Sequence, residues 1–101
     1  MAELIWSYHA LTELEGIFDY IASDSHLYAQ YTIQNIFKAV ELLQTFPGSG
    51  RHLPEFPNLQ HRELLIGNYR IIYHYTAEED SLKIITVIHG SRLLKETHLA
   101  E

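Results

Sequence analysis

Arg70 is the residue of this sequence whose chemistry most needs an explanation. It stands in the segment Tyr69–Tyr75, whose β-branched and aromatic residues predict a strand that is packed on both faces. A guanidinium stays charged in proteins and is costly to bury without a partner. Arg70 must therefore reach a cleft, a partner molecule or a carboxylate of this chain.

Arg70 belongs to a set of four arginines that could hold phosphate groups. Arginine grips phosphate oxygens through two parallel hydrogen bonds and stabilises charge in a transition state. The alternative is ion pairing with Glu55, with Glu63 or with a carboxylate of a partner. The acidic balance of the chain favours that alternative for at least two of the four. The set consists of Arg51, Arg62, Arg70 and Arg92.

The histidines could bind a metal and the tyrosines could stack on bases, but we favour a structural role for both groups. His61 and His74 lie across from each other on predicted strands, but a metal site normally needs more ligands than two. The tyrosines at 69, 73 and 75 could stack on bases, yet their strand spacing is typical of a core under helices. Nucleophile motifs and phosphate loops are absent from the sequence. We therefore predict neither a metal site nor a cofactor.

Length and composition favour one small soluble domain over residues 1–101. The chain is 47% hydrophobic and 12% aromatic, as expected for a folded protein. The formal net charge of −6 argues against a protein held on nucleic acid mainly by phosphate neutralisation. The sequence contains no apolar run long enough to cross a membrane, and its first residues do not resemble a signal sequence. We expect a cytoplasmic protein.

The elements that must position these residues follow from periodicity. Leu4–Trp6 predicts a short strand, and apolar residues at three- and four-residue steps predict helices from Ala10 and over His26–Thr45. A loop that contains all three prolines separates the helices from three strands at 60–66, 69–75 and 82–89. The predicted fold class is α+β with the order β-α-α-β-β-β. A helical hairpin packs on one face of a small antiparallel sheet.

The dipeptide Gly67-Asn68 fixes the register of the central hairpin. A two-residue loop with glycine first suits a type II′ turn. Leu65 then faces Arg70, and Glu63 faces Ile72. We expect this second face of the sheet to be partly open and to carry polar residues among apolar ones. These polar residues are His61, Glu63, Arg70 and His74.

Several segments together resemble the RelE/ParE superfamily of toxins from bacterial toxin–antitoxin modules. The resemblance covers nearly the whole chain, and it rests on the order and spacing of its pieces. It implies the same β-α-α-β-β-β layout. The matching pieces are Ile5-Trp6-Ser7, Leu14–Ile21, Phe46-Pro47, Gly50-Arg51, Pro54-Glu55, Arg62-Glu63-Leu64, Tyr69–Tyr73, Val87-Ile88-His89 and Arg92.

The superfamily implies two functional branches. One branch cleaves messenger RNA on the ribosome. By resemblance to some of its members, Glu55 would act as general base, Arg70 would stabilise charge and His89 would act as general acid. Lysines that other members carry on the preceding strand correspond here to His61 and Glu63. The C-terminal tyrosine of those members has no clear match in this chain, because Thr97 or His98 stands near its place.

The other branch poisons DNA gyrase without being an enzyme, and the motifs around Arg51, Glu63 and Arg70 look more like this ParE branch. The resemblance implies a cognate antitoxin that covers the sheet and the helical hairpin, in a toxin–antitoxin hetero-oligomer. A third alternative is a relative that is no longer toxic and only binds a partner. The residues predicted to bind are Arg51, Arg62, Arg70, Tyr73, His89 and Arg92.

Overall fold

The computed structural model describes residues 1–100 and contains the predicted order of helices and strands. One short strand, β2, was not predicted and lies in the loop after the helices. A 3₁₀ helix near the C-terminus follows the last strand. The elements are β1 (Glu3–Trp6), α1 (Tyr8–Ala22), α2 (His26–Thr45), β2 (Arg51–His52), β3 (Arg62–Ile66), β4 (Tyr69–Thr76), β5 (Ser81–His89) and the 3₁₀ helix Glu96–Leu99.

The sheet has five strands in the order β1-β5-β4-β3-β2. Strands β2 to β5 are antiparallel neighbours, but β1 runs parallel to β5, with Leu4 opposite Leu82 and Trp6 opposite Ile84. The sheet is therefore mixed, whereas we had expected an antiparallel one. Strand β1 has no tight turn to its neighbour, so its direction is set by tertiary packing and not by a local signal.

Serine side chains begin both helices, because each accepts a hydrogen bond from an otherwise unpaired backbone N–H group. The Oγ of Ser7 accepts from the N–H of Ala10 at 3.0 Å and donates to the carbonyl of Ile85 at 2.8 Å. The Oγ of Ser25 accepts from the N–H of Tyr28 at 3.1 Å. The Ser7 side chain thus caps α1 and also ties it to the sheet.

The main core lies between the helical hairpin and the sheet. Tyr73 is fully buried there, as its strand spacing predicted, and Tyr69 and Tyr75 pack against the same cluster. Trp6 contacts Phe37 of α2 edge to face, with ring centroids 5.2 Å apart. The fully or nearly fully buried members of this core are Ala2, Ala10, Leu14, Ile36, Val40, Leu43, Ile71, Tyr73, Leu82, Ile84 and Val87.

The second face of the sheet is more covered than we predicted. A second buried cluster joins Ile72 and Ile88 of the sheet to apolar residues of the loop after β2 and of the C-terminal segment. Those residues follow no helical or strand period, so the sequence pattern did not reveal that they would cover the sheet. They are Leu53, Leu94 and Leu99, with Phe56 and Leu59 packed against them.

The register of the β3–β4 hairpin is as predicted. Leu65 lies opposite Arg70 and Glu63 lies opposite Ile72. Gly67 has a φ of 57°, which the first position of a type II′ turn requires. Within residues 1–100, no helix is long and apolar enough to cross a membrane.

Candidate functional site

Arg70 lies on β4 and contacts two carboxylates of its own chain. Its Nε donates to Oε1 of Glu63 at 2.7 Å. Its Nη1 and Nη2 donate to the two carboxylate oxygens of Glu55 at 2.6 and 2.8 Å. This bidentate geometry is the one that arginine adopts with phosphate or carboxylate ligands. The guanidinium is nearly buried, with 7% of the residue exposed, and its hydrogen-bonding atoms face these two glutamates.

Glu63 is the second centre of the same cluster. The residue is 1% exposed, and its Oε2 accepts from Nε of Arg51 at 2.6 Å. Strand β2 makes this contact possible, because it places Arg51 directly opposite Glu63 on β3. The order Arg51–Glu63–Arg70–Glu55 alternates in charge and sums to zero. We call these four residues the charge chain.

The electrostatics of the charge chain keep Glu55 and Arg70 ionised. The hydrogen bonds from Arg70 hold the pKa of Glu55 below its ordinary value of 4.5, although partial burial acts in the opposite direction. The hydrogen bonds that Arg70 donates to Glu55 and to Glu63 raise the pKa of Arg70. An ionised carboxylate that is already held by a guanidinium is a weak general base.

Arg62 and Tyr73 hold the loop that follows α2. The Tyr73 hydroxyl donates to the carbonyl of Pro47 at 2.8 Å and accepts from the N–H of Gly50 at 2.9 Å. Nη1 of Arg62 donates to the carbonyl of Gly50 at 2.8 Å. A Cβ at Gly50 would lie 2.5 Å from the Tyr73 hydroxyl and 2.7 Å from the backbone oxygen of Glu63. These two predicted binding residues therefore make contacts that shape the fold.

His89 and Arg92 line a groove between the helices and the tip of the β3–β4 hairpin. Nδ1 of His89 accepts from the N–H of Ser91 at 3.1 Å, so the neutral ring carries its hydrogen on Nε2. Its ring meets Tyr69 edge to face at 5.5 Å. Arg92 is exposed, and its guanidinium makes no hydrogen bond or ion pair within residues 1–100.

The groove has a volume of about 1020 Å³ and aromatic walls. Tyr20 is 79% exposed, and Tyr28 and Tyr31 stack on each other with ring centroids 6.2 Å apart. Sequence reasoning missed these tyrosines because each is a single aromatic residue at an exposed helix position. The available signal was their number: three tyrosines fall within twelve residues of the two helices. The tyrosines that line the groove are Tyr20, Tyr28, Tyr31 and Tyr69.

Glu13 is another lining residue that the sequence did not single out. Pairing between β4 and β5 shifts so that Ile72 meets Thr86 and Tyr73 meets Ile84, which leaves a bulge in β5. Oε1 of Glu13 accepts there from Oγ1 of Thr86 at 2.6 Å and from the N–H of Val87 at 2.8 Å. The carboxylate thus satisfies a backbone donor and ties α1 to β5.

A smaller cavity of about 490 Å³ adjoins the charge chain. Glu55, Arg70 and His89 all line it, so the three residues assigned to RNA cleavage by resemblance share one cavity. Glu55 and Arg70 are in direct contact, while His89 is hydrogen-bonded to Ser91. His61 and His74 lie elsewhere, with rings stacked 4.9 Å apart.

Comparison with known proteins assigns the class of this fold. The sequence profile described as the ParE toxin of type II toxin–antitoxin system, parDE, matches residues 4–94. A protein of Caulobacter vibrioides named Toxin RelE2 is 31% identical over 93 residues, which are 92% of this chain and 100% of that protein.

A solved structure gives the same result for the fold. It is described as the chromosomal ParDE TA system from P. aeruginosa, and it superposes with a TM-score of 0.69 at 22% identity. The match covers 88% of this chain and 96% of that chain. The fold is therefore that of a small α+β toxin. The chain belongs to the ParE toxin family of type II toxin–antitoxin systems, as the resemblance predicted.

Proposed function

We propose that this toxin inhibits growth by binding DNA gyrase and that a cognate antitoxin neutralises it. The observation that carries the proposal is the occupation of Arg70 by two carboxylates of its own chain. An RNA-cleaving toxin needs cationic groups that reach the phosphate at which the bond breaks. Here the best-placed guanidinium is already neutralised from two sides.

The charge around Arg70 supports the same choice. The charge chain is neutral, and the whole protein carries a formal charge of −6. An RNA strand that entered the smaller cavity would meet Glu55 as an ionised carboxylate. Repulsion between that carboxylate and phosphate would weaken binding. A protein target does not bring a phosphate next to Glu55, and it can pair its own groups with exposed side chains of this protein.

Ribosome-dependent RNA cleavage is the second candidate function, and one observation supports it. Glu55, Arg70 and His89 line one cavity, and a relative is named Toxin RelE2. In this candidate, His89 would protonate the leaving oxygen, and Glu55 would have to release Arg70 before either residue could act. The third candidate, a relative that only binds a partner, differs from both because it would not inhibit growth.

The antitoxin is the partner for which the groove is best suited. Its tyrosine walls offer apolar surface, and Arg92 with Nε2 of His89 offers donors for a carboxylate. A type II toxin is produced beside its antitoxin, so we expect a hetero-oligomer of the two. Gyrase acts on the chromosome, which assigns the proposed activity to the cytoplasm.

The test is to produce the protein in bacteria with and without the protein encoded beside it. We expect replication to stop with gyrase-linked DNA breaks, intact messenger RNA, and restored growth when the neighbour is co-produced. Cuts within codons that disappear in Arg70→Ala would contradict the gyrase proposal and establish the nuclease. Normal growth in the absence of the neighbour would support the third candidate.

A further inference from the structure

The two edges of the sheet differ in how well they are protected. An edge strand exposes backbone groups that can pair with another strand, and proteins block such pairing with charges, prolines, bulges or very short strands. Strand β2 at one edge has only two residues, and its Arg51 is bonded to Glu63. Strand β1 at the other edge has four residues in regular register, and its segment Leu4–Trp6 contains neither a charge nor a proline. The β1 edge is therefore the more open one.

The backbone groups of β1 point alternately to β5 and to the free edge. The N–H groups of Glu3 and Ser7 both donate to carbonyls on the β5 side, at 2.8 and 2.9 Å. In a parallel pair, alternate residues direct their N–H and C=O groups to the same neighbour. Leu4 and Trp6 therefore direct theirs away from β5, to the free edge. Within residues 1–100, these outward groups have no hydrogen-bond partner.

Both ends of the open edge are closed by contacts of this chain. Before β1, the N–H of Ala2 donates to the carbonyl of Gln44 at 3.0 Å, and the carbonyl of Ala2 accepts from Nε2 of Gln44 at 2.9 Å. After β1, the chain turns at Ser7 into helix α1. A second strand could therefore pair only with the N–H and C=O groups of Leu4 and Trp6.

We propose that the β1 edge pairs with the β1 edge of a second copy of this chain, so that two sheets join into one. Dimers of one chain are usually two-fold symmetric, and a two-fold axis makes the two edge strands antiparallel. The register that satisfies all four open groups of each copy pairs Leu4 with Trp6 of the second copy. The axis then brings Ile5 against Ile5 of the second copy. Glu3 lies opposite Ser7 in this register, so like charges do not face each other.

The apolar surface along the β1 edge is large enough for a weak dimer. Ile5 and Phe37 are each 39% exposed, and Met1 and Tyr8, which flank β1, are each 86% exposed. Phe37 belongs to this surface because its ring packs on Trp6. A large side chain buries about 150–250 Å², so full burial of the exposed parts removes roughly 500 Å² from each copy. Two copies reach roughly 1,000 Å², the lower limit of specific interfaces, so we expect a dimer that dissociates on dilution.

The experiment places charges at the proposed axis of the full-length chain. Ile5→Lys and Ile5→Glu each set two like charges against each other in the dimer, at a side chain that is partly exposed in the free protein. Leu65→Lys is the matched control, because Leu65 is an apolar residue 54% exposed on the same face, but on the inner strand β3. Sedimentation equilibrium over a range of concentrations measures the dimer, and thermal unfolding shows that each variant is folded.

We expect wild type and Leu65→Lys to form dimers with the same dependence on concentration. Each Ile5 variant alone raises the Kd of the dimer by about tenfold or more, because like charges meet at the axis. This loss shrinks at high salt. An equimolar mixture of Ile5→Lys and Ile5→Glu recovers the dimer, because opposite charges then meet.

Three results would overturn the inference. The first is a wild type that stays monomeric at every concentration, and the second is a dimer that neither Ile5 variant weakens. The third is a mixture of the two variants that forms dimers no better than each variant alone. A monomeric wild type whose Ile5 variants no longer bind the protein encoded beside it would assign the edge to the antitoxin instead. The outcome does not depend on the cellular target, since growth inhibition is not measured.

Discussion

The charge chain and the groove use arginine in opposite ways. In the charge chain, Arg70 is nearly buried and bonded to Glu55 and Glu63. At the groove, Arg92 is exposed and without a partner among residues 1–100. Arg70 thus stabilises the fold, while Arg92 stays available for contact with another molecule. The difference teaches that the most conspicuous cation of a sequence need not be the functional one.

The largest expected effect comes from breaking the charge chain at its buried carboxylate. Glu63→Ala removes a partner of Arg70 and of Arg51 and opens space beside the second core. We expect the free energy of unfolding to fall by about 3 kcal/mol, the lower end for breaking a buried pair, because Glu55 still holds Arg70. Urea denaturation measures the change. Glu15→Ala, at an exposed position of α1, is the control, and a loss equal to the control would contradict the role of Glu63.

A somewhat smaller effect is expected where the loop after α2 meets the sheet. Gly50→Ala forces a Cβ against the Tyr73 hydroxyl and a backbone oxygen, so we expect a loss of about 2–3 kcal/mol. Tyr73→Phe removes the hydroxyl and should cost about 1–2 kcal/mol, because the N–H of Gly50 loses its partner. Thermal unfolding measures both. Gly48→Ala should be nearly neutral, and a cost like that of Gly50→Ala would show that the close approach is irrelevant.

The sequence predicted the parts of this fold that local signals determine. The Gly67-Asn68 turn set the pairing of Leu65 with Arg70, and periodicity identified both helices. The sequence could not predict that β1 lies parallel to β5, or that Leu53 and Leu94 would cover the second face of the sheet. Those contacts join segments that are distant in the chain and that carry no periodic pattern.

The candidate site was likewise predictable only in part. Ion pairing was expected for at least two arginines, and Arg51 and Arg70 form such pairs. The order of the charge chain was not predictable, because it depends on the two-residue strand β2. The role of Glu13 was not predicted, because it depends on a bulge in β5 for which the sequence carries no signal.

Acidity should weaken the charge chain. The folded pKa of Glu55 is lowered below its ordinary value of 4.5, so its ion pair stabilises the protein above that pH. This stability is lost as the pH falls through the folded pKa. We expect Tm to drop more steeply below about pH 4.5 in wild type than in Glu55→Gln, where this group no longer titrates. Equal slopes in the two proteins would contradict the proposed contribution of Glu55.

The most direct test compares Arg70→Ala and Arg92→Ala in the same two assays, urea unfolding and antitoxin binding by the folded protein. We predict that Arg70→Ala loses about 3 kcal/mol of stability, because it leaves Glu63 with one partner, and that it binds antitoxin normally. Arg92→Ala should keep its stability within about 0.5 kcal/mol and bind antitoxin more weakly. Unchanged stability with impaired binding in Arg70→Ala, or the reverse in Arg92→Ala, would contradict this division of roles.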